Sequence, residues 1–340
     1  MGLAITGITA ICFGFLNYLP AGNRLFFWAS LLIRIAEAVG DAAFVTSSFA
    51  ISAKLFPGHV ASIVGVMETF AGLGYTAGPL VGGFLYEYGG FQTPFLVLGG
   101  TLLVATGLSV FTIEALDEDT DDIDTDKGMM AMLKIPLIWI MSYAVVICAL
   151  SLSFLDPTLE AHLRTFSLTP TVVGLMFLLC GGVYTLSAPF WGVLIDKFDC
   201  SIFIMFFGSA ATAVSMVIIG PSPLIPIDKN LWVIGFALCI LGVAAGALYI
   251  PTFQNCLDAV KEYDFDDSIY TYGCVSGIFQ SAFAFGGFIG PTLGGAAVQW
   301  IGFEWTSTAI AIVNVIFIIT LLFYYGTKSM RQRSIQRILE

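Results

Sequence analysis

The sequence predicts an all-α integral membrane protein, a helical bundle of about ten spans in two pseudo-symmetric halves. Three observations support this prediction. The chain is 58% hydrophobic and 11% charged, with a mean hydropathy of +0.91. Its apolar residues form long stretches, each of the length that crosses a hydrocarbon core. A spaced glycine–proline pattern also occurs twice, once in each half.

Composition excludes several classes of protein. The 13 basic and 24 acidic side chains among 340 residues are too few to cover a soluble surface of this size. A net charge of −11 would repel a nucleic-acid backbone, so we expect no nucleic-acid partner. The histidines (His59 and His162) are far apart and no CxxC occurs, which argues against a metal site. No catalytic set or phosphate-binding loop is visible, so we predict no enzymatic activity and no cofactor.

Ten stretches are long and apolar enough to be spans. They cover residues 3–19, 26–50, 60–86, 92–113, 135–155, 170–195, 201–220, 231–254, 270–298 and 304–326. The eight acids of segment 114–127 cannot enter lipid, and they separate the two halves. The predicted organisation is an incomplete N-terminal half (1–113), an acidic cytoplasmic linker (114–134), a six-span C-terminal half (135–326) and a basic cytoplasmic tail (327–340). If both termini are cytoplasmic, nine Lys and Arg residues lie on the cytoplasmic side and three on the other, as the positive-inside rule requires.

The repeated pattern G-x8-G-x3-G-P-x2-G-G recurs at an offset of 212 residues. Its first copy comprises Gly65, Gly74, Gly78, Pro79, Gly82 and Gly83, and its second comprises Gly277, Gly286, Gly290, Pro291, Gly294 and Gly295. Small residues let helices approach closely in lipid, and proline can kink a helix. The motif therefore predicts either a conformational surface that slides and seals or static close packing.

The position of the repeat within each half is unequal. The repeated span is third in the first half and fifth in the second, so we expect the first half to lack two leading spans of a twelve-span plan. On this expectation the chain is a truncated isoform, a chain with a mis-assigned start, or a fragment.

Ionisable residues within spans are candidates for a transport site, because burying them is costly. Arg34, Glu37 and Asp41 share one face of the second span. The spacing suits an Arg34–Glu37 pair, either functional or purely structural, and leaves Asp41 to accept a cation or a proton. Glu68 has no opposite charge nearby in its span. If buried, it holds a proton more tightly and can exchange it for a cationic amine; the alternative is a hydrated position near the cytoplasmic end.

Further polar residues extend this candidate site. The repeat offset pairs Glu68 with Gln280, which predicts a similar depth for both. The residues Asp156, Pro157 and Glu160 predict a water-exposed turn at the lumenal end of the fifth span. The acidic side chains there either attract cations or merely cap the helix. Tyr184 and Tyr249 are candidates for cation–π contacts to an amine.

Several motifs resemble those of the major facilitator superfamily, whose fold has two parallel six-helix halves. The glycine–proline pattern resembles its antiporter motif, and Arg34-x-x-Glu37-x-x-Gly40 resembles its conserved-arginine motif. The sequence Gly192-x3-Asp196-Lys197 resembles its loop motif, which implies a gate at those three residues.

Within that superfamily the chain resembles the vesicular amine transporters. The stretch FLDPTL at 154–159 is similar to their FLEPTL, and IGFEW at 301–305 is similar to the vesicular polyamine transporter branch. Monoamine members carry acidic residues where Tyr249 and Gln280 stand here, so monoamine chemistry is not carried over. The resemblance implies a proton-coupled antiporter that moves cationic amines such as polyamines into cytoplasmic or secretory vesicles by alternating access. We expect the protein to be monomeric. The alternatives are a non-transporting truncated isoform and a drug/proton antiporter with a different substrate.

Overall fold

The computed structural model describes residues 1–19, 24–112, 128–225 and 228–339, and within these ranges all regular structure is helical. The acidic segment 114–127, on which the linker prediction rests, lies outside the described residues. The side chains of the basic tail from residue 331 onwards also lie outside them. The helices coincide closely with the predicted spans, and the predicted fold class is confirmed.

Among the described residues, the first half contains four long helices and the second half contains six. The first four are α1 (Gly2–Gly14, continued by a 3-10 turn at Phe15–Tyr18), α2 (Arg24–Leu55), α3 (Val60–Gly89) and α4 (Gln92–Thr112). After a one-turn helix at Met129–Met132 come α5 (Pro136–Ser153, continued by Leu155–Leu163), α6 (Pro170–Phe198), α7 (Ser201–Ile219), α8 (Leu231–Glu262), α9 (Ile269–Ile289, continued by a π-helical turn Gly290–Gly294 and by Gly295–Ile301) and α10 (Phe303–Leu339).

Eight helices in the described part of the chain are long and apolar enough to cross a membrane. The remaining two long elements are α1, whose apolar stretch Gly2–Tyr18 is shorter, and α2, which carries Arg34, Glu37 and Asp41 near its middle. About ten spans therefore describes the bundle well.

Turn residues end the two repeated helices in the same way. Gly90 follows α3 with φ of 73°, and Gly302 follows the last part of α9 with φ of 85°. Residues with a Cβ rarely adopt this conformation, so glycine is required at both positions. The two residues are themselves separated by the repeat offset of 212, so the repeat extends beyond the helices into the turns that follow them.

The two halves meet mainly where α3 packs along α6 and where α2 packs along α9. Helix α9 also packs along α5 of its own half. Three phenylalanine rings from α2, α8 and α9 form the centre of this junction: Phe49 lies 5.1 Å from Phe253 and 5.7 Å from Phe279, between ring centroids. All three side chains are buried. The junction therefore ties the first half to the second through apolar contacts.

The expected turn around Asp156 is wrong, because Leu155–Leu163 is helical, although Asp156 is exposed. Pro157 suggested a turn in the sequence. It occupies the third residue of this helix, where the missing N–H costs no intrahelical hydrogen bond. The helix continues α5 almost directly, since Phe154 alone separates the two segments.

Candidate functional site

A cavity of about 380 Å³ lies between α3, α5, α6, α8 and α9. Its described lining contains two carboxylates, three tyrosines and two thiols, and it contains no Lys or Arg. These polar residues are Glu68, Asp156, Tyr75, Tyr184, Tyr249, Cys148 and Cys180. The cavity is therefore suited to a cation rather than an anion.

Glu68 lies at one end of the cavity, on α3. The Tyr184 hydroxyl of α6 donates a 2.7 Å hydrogen bond to Glu68 Oε2. The Tyr249 hydroxyl of α8 lies within hydrogen-bonding reach of both Glu68 and Gln280. The structure thus brings together Glu68, Tyr184, Tyr249 and Gln280, four of the residues singled out from the sequence.

Aromatic rings of α9 pack against Tyr249 in this cluster. Tyr249 is 3% exposed, and its ring packs 4.9 Å from Phe279 and 5.4 Å from Phe283, between centroids. No ion pair in the described part of the chain involves Glu68, whose carboxylate instead accepts hydrogen bonds from tyrosine hydroxyls. A carboxylate in this setting can take up a proton or an ammonium group.

Asp156 lies at the other end of the cavity. The Tyr75 hydroxyl of α3 donates a 2.9 Å hydrogen bond to Asp156 Oδ1, and both residues are exposed. We call this side of the molecule the open face. The helical continuation of α5 places Asp156 at the cavity.

The opposite side, which we call the closed face, is sealed by polar contacts between the halves. Asp196 at the end of α6 accepts hydrogen bonds from the backbone N–H groups of Ala61 (3.2 Å) and Ser62 (2.7 Å) in the first turn of α3. A carboxylate at a helix N-terminus is favoured by the unpaired N–H groups and the helix dipole. Lys54 at the end of α2 donates a 2.6 Å hydrogen bond to the carbonyl oxygen of Asp267, just before α9.

The other two residues of the predicted loop gate also lie at the closed face. A Cβ added to Gly192 would collide with the backbone of Ala61 and Ser62, so glycine allows α6 to contact α3 closely here. Lys197 Nζ lies 5.4 Å from the centroid of the Phe198 ring. Of the three residues, Gly192 and Asp196 therefore make the contacts between the halves.

The charged residues of α2 lie apart from the cavity. Arg34 Nη1 and Glu37 Oε2 are 2.9 Å apart, so the two form the pair that their spacing suggested. Arg34 also lies 3.9 Å above the Phe13 ring of α1. Asp41 is exposed on α2 and is not part of the cavity lining. Roles for these three residues in transport stay predictions.

Sequence reasoning missed Tyr75, Cys148 and Cys180. Tyr75 follows Glu68 by seven residues, or about two helical turns, so it lies on the same face of α3, and this spacing could have indicated it. The two cysteines are on α5 and α6, and no spacing in the sequence places them beside α3. Within the described residues, no group of three or more His, Cys, Asp or Glu side chains could hold a metal ion.

Known families and relatives agree with this architecture. The family model described as Major Facilitator Superfamily matches residues 1–265 and 141–338. The chain is similar to the MFS-type transporter SLC18B1 of Rattus norvegicus, with 34% identity over 99% of this chain and 74% of the relative, and to that of Homo sapiens, with 35% identity over 98% and 73%. It is more distantly similar to the synaptic vesicular amine transporter of Homo sapiens, with 25% identity over 84% of this chain and 54% of that protein.

Solved structures share the fold. The human organic anion transporter MFSD10 (TETRAN) superposes with a TM-score of 0.71, at 18% identity over 94% of this chain and 76% of that one. The E. coli fucose:proton symporter FucP gives a TM-score of 0.68, at 12% identity over 95% and 83%. The chain belongs to the Major Facilitator Superfamily, and it is a multi-pass membrane transporter rather than an enzyme.

Proposed function

We propose that this protein is a proton-coupled antiporter that moves cationic amines, polyamines among them, into vesicles by alternating access. The observation that carries the proposal is Glu68, a carboxylate held by tyrosine hydroxyls in a cavity whose described lining has no Lys or Arg. The vesicular setting and the amine substrate are supported by the similarity to SLC18B1 and to the synaptic vesicular amine transporter.

Coupling follows from competition for one carboxylate. A proton that enters from an acidic vesicle neutralises Glu68, which removes the charge that holds an ammonium group. Release of that proton on the other side restores the charge and the affinity for the amine. Because the proton and the ammonium group cannot occupy Glu68 together, the two move in opposite directions.

Alternating access is supported by the unequal faces of the bundle. The cavity opens beside Tyr75 and Asp156, while Asp196, Lys54 and the phenylalanine junction seal the closed face. The excess of Lys and Arg on the side of Lys54 supports a cytoplasmic closed face under the positive-inside rule. The described conformation is then the one that faces the vesicle lumen. Opening the other face requires the contacts between α3 and α6 and between α2 and α9 to separate.

The test is uptake of labelled spermidine into proteoliposomes with an acidic interior. We expect uptake by the wild-type chain that collapses when the pH gradient is dissipated, and loss of uptake in Glu68→Gln. The matched control is Glu87→Gln, an exposed carboxylate on the same helix α3, for which unchanged uptake is expected. Wild-type uptake in Glu68→Gln would contradict the proposal.

Asp41 remains in the proposal as a second proton-accepting group, on α2. Asp41→Asn is expected to slow uptake and to leave equilibrium binding of spermidine unchanged, because Asp41 is not part of the cavity lining. Unchanged uptake would remove Asp41 from the mechanism. Binding of labelled spermidine to the purified chain separates this function from that of a non-transporting membrane protein, since loss of binding in Glu68→Gln reports on the site without transport.

A further inference from the structure

The two carboxylates of the cavity lie at its two ends, and this arrangement bears on the substrate. Glu68 and Tyr75 are seven residues apart on one face of α3, which at about 1.5 Å per residue separates them by roughly 10 Å along the helix axis. Tyr184 binds the first carboxylate, Glu68, and Tyr75 binds the second, Asp156. The two acidic ends are therefore distinct binding positions.

The surface between the two ends is apolar. It includes Leu152 and Leu155 of the α5 region, Phe177 of α6 and Leu238 of α8. A methylene chain can lie against such a surface without leaving a polar group unpaired. The tyrosines at each end offer hydroxyl and ring contacts to an ammonium group.

Resting on the proposed function, we propose that the cavity selects linear amines by length, with one terminal ammonium group at Glu68 and a second at Asp156. The favoured substrate is a diamine or longer polyamine, long enough for its charged ends to reach both carboxylates at once. A monoamine satisfies only one carboxylate. A long diamine satisfies both, and its second contact is intramolecular, so it strengthens binding without a second loss of translational freedom.

The first experiment measures competition for labelled spermidine by α,ω-diamines of increasing length, each compared with the monoamine of equal carbon number. In the wild-type chain the longest diamines are expected to bind about tenfold or more tightly than their matched monoamines. In Asp156→Asn this advantage is expected to vanish, because only one carboxylate remains. Glu160→Gln is the control: Glu160 is one turn from Asp156, is exposed and lies outside the lining of this cavity, so the advantage should persist.

Two native cysteines give a second readout. Cys148 lies close to Glu68, and Cys180 lies close to Asp156. Both cysteines line the cavity, so an amine that fills both ends should protect both thiols from a small maleimide that enters the cavity. Peptide mapping by mass spectrometry is expected to show both cysteines protected by a long diamine and one protected by the matched monoamine.

The outcomes separate this inference from the proposed function. An undiminished advantage of long diamines in Asp156→Asn, with binding still lost in Glu68→Gln, would overturn the length selection and leave amine transport standing. If no amine competes with spermidine or protects either cysteine, the proposed function fails and the length selection fails with it. Loss of the advantage in Asp156→Asn, together with loss of protection at Cys180 alone, would support the proposal.

Discussion

Helices α3 and α9 contain the same glycine–proline pattern but use it differently. On α9, Cβ atoms added to Gly286, Gly290 or Gly294 would collide with the α5 region, so these glycines allow close contact between the two helices. On α3, the equivalent Gly74, Gly78 and Gly82 have nothing within 4 Å among the described residues. The pattern thus places small residues on one face of each helix. The position of the neighbouring helices determines whether another helix packs against that face.

The packed positions of α3 lie elsewhere on the helix. Added Cβ atoms at Gly65 and Gly72 would collide with Ala188 and Thr185 of α6.

The proline of each copy also has a different effect. Helix α3 remains α-helical through Pro79, whereas α9 changes to a π-helical turn at Gly290–Gly294, around Pro291. A π-helical turn widens the helix locally and is often found at functional sites. Here it lies where α9 contacts Phe154, immediately before the segment that carries Asp156.

The largest expected effect concerns Glu68 and its counterpart Gln280. Glu68→Gln is expected to abolish spermidine uptake. Because both positions lie near the Tyr249 hydroxyl, the exchange Glu68→Gln with Gln280→Glu returns one carboxylate to this cluster and should restore part of the binding. Equilibrium binding of labelled spermidine to the single and double variants measures this. If the double variant binds spermidine no more tightly than Glu68→Gln, then α3 and α9 are not interchangeable at this depth.

The second effect is on thermal stability, and it is tested by replacing equivalent glycines of α9 and α3. Gly286→Ala and Gly290→Ala force a methyl group into α5, and such overpacking costs about 1–3 kcal/mol. Gly74→Ala and Gly78→Ala meet open space, and alanine favours a helix by up to about 1 kcal/mol over glycine. Thermal unfolding in detergent should therefore show lower melting temperatures for the α9 variants and unchanged or higher ones for the α3 variants. Equal shifts of the melting temperature in the α9 and α3 variants would contradict the proposed difference in packing between the two helices.

The smallest effect concerns how the two helices begin. Helix α9 is capped by its own Ser268, whose hydroxyl accepts a 3.1 Å hydrogen bond from the Thr271 N–H, whereas α3 receives its cap from Asp196 in the other half. Loss of a cap costs about 1 kcal/mol in either case. Only Asp196→Ala should also loosen the closed face.

The readout for this difference is the rate at which a maleimide labels Cys256, which is 3% exposed on α8. We expect a rate several-fold above wild type in Asp196→Ala and an unchanged rate in Ser268→Ala. A similar rate in both variants would mean that Asp196 only stabilises the helix and does not hold the halves together.

The sequence predicted the helices well because each is a long apolar run between turn residues. It also linked Glu68 with Gln280, since the repeat offset encodes pseudo-symmetry. It misread the Asp156 region, because a proline near a helix start and a proline in a turn look alike in sequence. The sequence indicated Tyr184 as a contact for an amine but did not indicate its hydrogen bond to Glu68. It gave no sign of Cys148 and Cys180, because contacts between helices of different halves leave no local pattern.

The most direct test of the central claim is proton release on binding. Spermidine is added to the purified protein in weakly buffered detergent, at the pH of an acidic vesicle, and the released protons are followed with a pH indicator. We expect the wild-type chain to release protons as spermidine displaces the proton of Glu68. We expect Glu68→Gln to release none and Glu87→Gln to behave as wild type. Equal release by wild type and Glu68→Gln would contradict the claim that one carboxylate serves both proton and amine.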